Sequence, residues 1–352
     1  MALGIGGAAC LMCTSSRPDL KDPAKIEEGF PINRSIDLIN EVFERLKEVD
    51  EYGEFYVPRR TRDNNIRMGV TDQPITKRDM CQDFSPLHAY LRHFTFLLNL
   101  IYRLISGIHK WGGTGTRNEK WTDEEIAHYK AVRTKFKQDV REYLVMIIDS
   151  PKDGSGTSDT GENIKRFFTK KSRDLIMEFC IPDTVSDDQK TSLYNVLQKA
   201  GVILRIINCG HKIDTDRFAA YCKEAYVQLV HDFPWVQMSM VAHMVYAHSA
   251  ERIMKNENYG LKDTSETGLE GLHKILKMVR RDLSRKCSLE QEIHDVAKYM
   301  WISSDPIIKE SKRRLECSNC LEKNHTRRGC PKLKFNVQQD EDNDIVNTFL
   351  LD

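Results

Sequence analysis

The sequence predicts a mainly α-helical fold, and three observations support that prediction. Apolar residues recur at helical spacing along most of the chain. The strict apolar–polar alternation of a half-buried strand is scarce. Hydrophobic residues make up 40% and charged residues 30% of the 352 residues, which is apolar enough to build a buried core. The predicted helices span residues 36–49, 87–109, 121–148, 164–179, 187–207, 214–230, 235–254, 267–283 and 289–301.

The early helices carry clear local signals. Residues 36–49 place their apolar side chains on one helical face. The next helix, 87–109, is the most apolar, but it contains Arg103 and is too short to span a bilayer. We therefore expect a core helix and no membrane partner. Helix 121–148 begins with Thr122 as a predicted N-cap, followed by an acidic first turn.

Net charge neither requires nor excludes a polyanionic partner, and the cysteine content bears on whether disulfides are expected. Lys and Arg number 53 and Asp and Glu 52, so any basic surface must be local. The first residues lack the basic n-region and the apolar h-region of a secretory signal. The ten cysteines are therefore expected to be thiols or metal ligands rather than disulfides.

Three regions are predicted along the chain. Residues 1–305 form the helical region, residues 309–335 a basic module, and residues 336–352 an acidic flexible tail. Between positions 309 and 334 the sequence contains nine Lys and Arg residues and three Glu residues, which gives a local net charge of about +6 by subtraction.

The basic module contains a zinc-knuckle spacing. Cys317, Cys320, His325 and Cys330 provide three thiolates and one imidazole, which is a closed tetrahedral zinc set. An unliganded tail with chance cysteines is the alternative. Zinc knuckles commonly bind single-stranded nucleic acid, although this one lacks an aromatic side chain for base stacking. The flanking residues expected to contact phosphates include Arg313, Arg314, Arg327, Arg328 and Lys332.

A second possible zinc set is split along the chain. Cys10 and Cys13 lie near the start, and His243 and His248 lie within a predicted helix more than two hundred residues later. Two Cys and two His complete a structural zinc site, and neither pair is complete alone. At i and i+5 the histidines need a bent turn or a helix end to converge. Core thiols and buried core histidines are the alternative interpretation.

A third feature is acidic. Glu266 and Glu270 lie at the start of a basic helix. A carboxylate at a helix start usually caps the helix or interacts favourably with the helix dipole. It can also be a metal ligand beside cations that hold a phosphate backbone. The basic residues of this helix include Lys274, Lys277, Arg280 and Arg281.

These features occur in the order found in the RAG-like transposases and recombinases, the family of V(D)J recombination-activating protein 1. Between about residues 8 and 335, the stretches that resemble this family read AACLMCTSSRPD, IRMGVTDQPITKRDMCQDFSPLHAYLRHF, DRFAAYCKEAYVQLVHDFPWVQMSMVAHMVYAHSAERI and SETGLEGLHKILKMVRRDLSRKCSLEQEIHDVAKYMWISSDP. The tail resembles the knuckle of invertebrate members. The resemblance implies that Cys10, Cys13, His243 and His248 share one zinc.

The resemblance also implies an RNase H-like DDE core, in which three carboxylates hold two Mg²⁺ or Mn²⁺ ions for cleavage and transfer of DNA strands. Glu270 matches the third acid best, with Glu266 as runner-up. The family's first two aspartates and their strands lie upstream of the CxxC, so we expect this chain alone to be inactive. Further implications are DNA as partner, a nuclear location, a homodimer and a RAG-two-like accessory subunit.

Two other function classes remain open from the sequence. One is a non-catalytic module kept for zinc-dependent nucleic-acid binding. The other is a retroelement capsid-like protein, which is also helical and is followed by a knuckle. The capsid-like interpretation leaves the split Cys–His set and Glu270 unexplained.

Overall fold

The computed structural model of the chain is mainly helical, which confirms the predicted class. The residues that it describes are 10, 12–15, 18–33, 35–49, 55–56, 85–109, 121–149, 161–262, 275–304 and 341–351.

The N-terminal region consists of short elements. A 3₁₀ turn, Asp19–Lys21, precedes helix α1, Pro23–Glu28, and helix α2, Ile36–Leu46. Ser35 caps α2, because its side chain accepts a hydrogen bond from the Leu38 N–H. Strands β1, Glu48–Val49, and β2, Phe55–Tyr56, form a minimal antiparallel pair. The helix predicted over 36–49 therefore ends three residues early.

Two long helices follow. Helix α3, Pro86–Ser106, buries most of its length and ends at Gly107, whose φ of 66° suits a glycine. Helix α4, Asp123–Leu144, packs against α3 and begins with the predicted Thr122 cap. Among the residues that the structure describes, every helix is too short or too polar to cross a membrane.

The helix predicted over 164–179 is divided in the structure. Helix α5, Gly161–Phe167, ends just before Thr169, whose backbone is extended and whose side chain accepts a hydrogen bond from the N–H of Ser172. That cap starts a new helix, α6, Lys170–Leu175, which continues into a π-helical turn, Ile176–Cys180. Apolar periodicity alone did not reveal the break.

Three helices form the centre of the core. Helices α7, Asp187–Ile207, and α8, Thr215–Asp232, pack against each other, and α8 packs against α9, Met240–Lys255. Helix α9 also contacts α3. The helix predicted over 235–254 begins later, because Ser239 caps α9.

The chain divides into two compact units. Residues 1–265 and 340–352 form the first unit, and residues 266–339 form the second. In the second unit, a π-helical turn, Val279–Leu283, precedes helix α10, Leu289–Ser304, and the two pack together. The helical region predicted over 1–305 therefore extends across this division.

The C-terminal segment belongs to the first unit. Helix α11, Glu341–Asn347, packs against α7. The backbone of Ile213 bridges to Leu350, while the neighbouring Lys212 bridges to Tyr259. The predicted flexible tail over 336–352 is therefore wrong for 341–351, because buried side chains and backbone hydrogen bonds fix this segment.

Candidate metal centre

Four side chains of the first unit meet in its interior. They are Cys10, Cys13, His243 and His248, and their candidate ligand atoms all lie within 4.8 Å of one another. Each residue is at most 1% exposed. The structure thus brings together the two halves of the split set, and the resulting cluster can hold a metal ion such as zinc.

Two separate segments of the chain supply the ligands. The cysteines come from the irregular segment before the 3₁₀ turn, where the Met12 N–H donates to the Cys10 sulfur over 3.3 Å. The histidines come from α9, with His243 in its first turn. The imidazole Nε2 atoms are 3.2 Å apart although α9 is continuous through both positions. The two rings are nearly perpendicular, and the two histidines converge without a break in the helix.

Two distances between ligand atoms of the cluster are close to those around a tetrahedral zinc ion. Zinc bonds of about 2.3 Å to sulfur and about 2.0 Å to nitrogen imply neighbouring ligands roughly 3.3 to 3.8 Å apart. The Cys13 sulfur lies 3.3 Å from His243 Nε2, and the two Nε2 atoms lie 3.2 Å apart. Both values are close to that range, and sulfur and imidazole nitrogen are donors that suit zinc better than magnesium.

The electrostatics of the cluster favour a cation. The hydrogen bond with Cys10, followed by bonds with His243 and His248, holds the pKa of Cys13 far below its usual range. The same contact with Cys13, together with burial, raises the pKa of Cys10. Burial lowers the pKa of His243, which keeps its imidazole neutral. Binding of a divalent cation to both sulfurs as thiolates therefore requires Cys10 to lose its proton.

Aromatic residues enclose one histidine of the cluster. Phe30 meets the ring of His243 edge-on, with centroids 4.8 Å apart. The hydroxyl of Tyr226, on α8, lies 3.3 Å from His243 Nδ1 and donates to the carbonyl of Leu20 over 2.9 Å. Neither aromatic was predicted from the sequence, because these contacts join residues far apart in the chain.

Another buried histidine lies outside the cluster. His93, on α3, contacts the hydroxyl of Tyr246 over 3.2 Å. Burial lowers the pKa of His93 to about 3, so the ring is neutral. Because it has no cysteine or carboxylate partner among the described residues, we interpret His93 as a core histidine.

The other predicted site residues lie in the second unit. Three basic residues of the predicted phosphate-binding helix are described there, and all are exposed. These three residues are Lys277, Arg280 and Arg281. Arg280 pairs with Glu292 over 2.6 Å, and Arg281 pairs with Asp282 over 2.7 Å. Outside the described residues lie Glu266, Glu270, Lys274, Arg313, Arg314, Cys317, Cys320, His325, Arg327, Arg328, Cys330 and Lys332.

Comparison with models of known protein families gives no match, and comparison with curated proteins gives none either.

Proposed function

We propose that this chain is the zinc-binding helical region of a RAG-like DNA recombinase or transposase. The observation that carries the proposal is the meeting of Cys10 and Cys13 with His243 and His248. These pairs are more than two hundred residues apart, and the family resemblance implies that they share a metal. A four-ligand site of this kind is structural, because no position is left open for water or substrate.

Charge balance explains how such a site can be completely buried. Two thiolates carry two negative charges, and a zinc ion cancels both. An unpaired buried thiolate would instead be costly. The metal would join the N-terminal segment to α9 at a separation of 230 residues, with Cys13 and His243 as neighbouring ligands. We therefore assign the zinc a role in holding the first unit together.

Nucleic acid is the partner that the charge distribution favours. Lys277, Arg280 and Arg281 are exposed, and the Arg280 and Arg281 pairs also lie at the surface. Such surface pairs contribute little to stability and can exchange their carboxylate partners for phosphates. The stretch 309–334 adds a local excess of positive charge. Binding through these residues would weaken as salt concentration rises.

The catalytic side of the proposal rests on the resemblance. In a complete DDE enzyme, Glu270 would provide one carboxylate for the divalent ions that activate water or a 3′-hydroxyl. In a protein that also carries the two upstream aspartates, Glu270→Gln should abolish strand cleavage and leave DNA binding nearly intact. Retained cleavage, with loss in Glu266→Gln instead, would move the assignment to Glu266.

The experiment that tests the whole proposal combines zinc counting with nucleic-acid binding. Native mass spectrometry should find two zinc ions per chain, one lost in Cys13→Ser and the other in Cys320→Ser. Fluorescence anisotropy should show salt-dependent DNA binding that weakens in Cys320→Ser. The matched control is Cys222→Ala, which removes a buried thiol outside the cluster and should keep both ions.

The same measurements separate the alternatives. One zinc, lost only in Cys320→Ser, would favour the retroelement capsid-like class, because that class has no use for the split set. Two zincs with DNA binding, but no cleavage after the upstream core is restored, would favour the non-catalytic nucleic-acid-binding module. Absence of nucleic-acid binding with two bound zincs would overturn both DNA-dependent proposals.

A further inference from the structure

Tyr226 is placed between the two segments of the chain that supply the metal ligands. Its hydroxyl lies 2.9 Å from the carbonyl oxygen of Leu20, in the 3₁₀ turn that follows the cysteines. The same hydroxyl lies 3.3 Å from Nδ1 of His243. We propose that Tyr226 is a positioning residue of the metal centre, which fixes the tautomer and ring orientation of His243. This inference rests on the proposed metal site.

The direction of the hydrogen bonds follows from the groups involved. A backbone carbonyl only accepts, so the hydroxyl proton of Tyr226 goes to Leu20. The hydroxyl oxygen then accepts from His243, whose proton must lie on Nδ1. The lone pair of Nε2 is thereby left for the metal. This atom faces the cluster, 3.3 Å from the sulfur of Cys13. Outer hydrogen bonds of this kind commonly orient metal-bound histidines.

The second histidine lacks such an anchor. Within the described stretches of the chain, Nδ1 of His248 is buried without a hydrogen-bond partner. The orientation of the two imidazoles therefore depends unequally on their surroundings. Because His243 has an outer partner and His248 has none among the described residues, the hydroxyl of Tyr226 should have a disproportionate effect on metal affinity.

The aromatic ring of Tyr226 is held independently of its hydroxyl. It stacks on Tyr246, with centroids 5.5 Å apart, and on Phe30, with centroids 6.0 Å apart. Tyr226→Phe therefore removes the hydrogen-bond relay from His243 through the Tyr226 hydroxyl to the Leu20 carbonyl, and it keeps the packing of the ring. Tyr246→Phe is a matched control, because Tyr246 is also buried in the same stack but its hydroxyl contacts His93 instead.

The experiment is a zinc competition titration of the full chain with a chromophoric chelator. The affinity of the cluster is isolated in a Cys320→Ser background, which removes the predicted knuckle site. Tyr226→Phe should bind zinc about 10- to 100-fold more weakly than the parent, whereas Tyr246→Phe should match it. Circular dichroism at saturating zinc verifies that both variants fold. Equal zinc affinities in the two tyrosine variants would overturn the relay.

A second measurement needs no substitution at Tyr226. Long-range ¹H–¹⁵N correlation spectra of the zinc-loaded protein should show a protonated Nδ1 and a metal-bound Nε2 for His243. The opposite assignment would overturn the proposed relay even if Tyr226→Phe failed to fold. A parent protein that binds no zinc at this cluster would overturn the metal site and the relay together, which distinguishes that failure from failure of the relay alone.

Discussion

Arg173 and Asp342 are 169 positions apart and form a completely buried, two-bond ion pair. Arg173 Nη1 and Nη2 lie 2.6 and 2.8 Å from the two carboxylate oxygens, and both side chains are 0% exposed. Gln198 donates to the same carboxylate over 3.1 Å. The contact fixes α11, at the C-terminal end, to α6 and α7. In the sequence, the second unit, residues 266–339, therefore lies between two segments of the first unit.

Removing the charge of Asp342 should destabilise the first unit. Asp342→Asn leaves the Arg173 guanidinium buried without its counterion, which typically costs about 3–5 kcal/mol. Urea denaturation, monitored by circular dichroism, measures the change in the free energy of unfolding. Asp344→Asn is the control, because that neighbour is exposed and should alter stability by less than about 0.5 kcal/mol. Equal stability of the two variants would show that the ion pair contributes nothing.

Metal removal should lower the melting temperature of the chain. Zinc at about a thousand times its dissociation constant stabilises a folded protein by about 4 kcal/mol, and a chelator removes that contribution. Differential scanning calorimetry should show a fall on chelation that zinc reverses and magnesium does not, because the donors are sulfur and nitrogen. In a Cys320→Ser background, which removes the predicted knuckle site, His248→Asn should melt at the lowered temperature with or without chelator. A chelator effect that persists in His248→Asn would place the stabilising metal elsewhere.

Acid should weaken the fold through His93. Its pKa is about 3 in the folded chain because of burial, against about 6.5 when unfolded, so below pH 6.5 only the unfolded state takes up this proton. Stability therefore falls as pH falls, by about 2 kcal/mol between pH 7 and pH 5.

The check on His93 is a comparison of pH slopes. Over this pH range, the unfolding of His93→Gln should take up about one proton fewer than the unfolding of the parent. Its free energy of unfolding, measured by urea denaturation, should therefore fall less steeply as pH falls. Unchanged slopes would mean that His93 is already protonated in the folded protein. The comparison is made at saturating zinc, so that acid release of the metal affects both proteins alike.

The cap of α4 should be measurable by itself. Thr122 Oγ1 accepts from the N–H of Glu125, and the Glu125 carboxylate accepts from the N–H of Thr122. Thr122→Ala should therefore cost about 1 kcal/mol in urea denaturation. Thr134→Ala, at an exposed position of the same helix, should be neutral or slightly stabilising, because alanine is the better helix former. A similar loss in both variants would show that the cap is not the cause.

Helix positions were largely predictable from the sequence, because a helix face is encoded by neighbours three and four residues apart. Helix α7 has the bounds that periodicity predicts, 187–207. Boundaries shifted where a polar cap competed with an apolar pattern, as at Thr169 and Ser239. Composition was misleading at 341–351, because an acidic segment looks solvated unless its buried partner, Arg173, is known.

The sequence by itself determined the helical class and the Thr122 cap, and it offered Cys10, Cys13, His243 and His248 as candidate ligands, since each depends on residue type and short-range spacing. Tertiary structure alone decided that Cys10 and Cys13 lie beside His243 and His248, and that Tyr226 bridges Leu20 and His243. The physical reason is the range of the interactions. A cap or a helical face is formed within a few residues, whereas a metal cluster and its outer hydrogen bonds exist only after distant helices have packed.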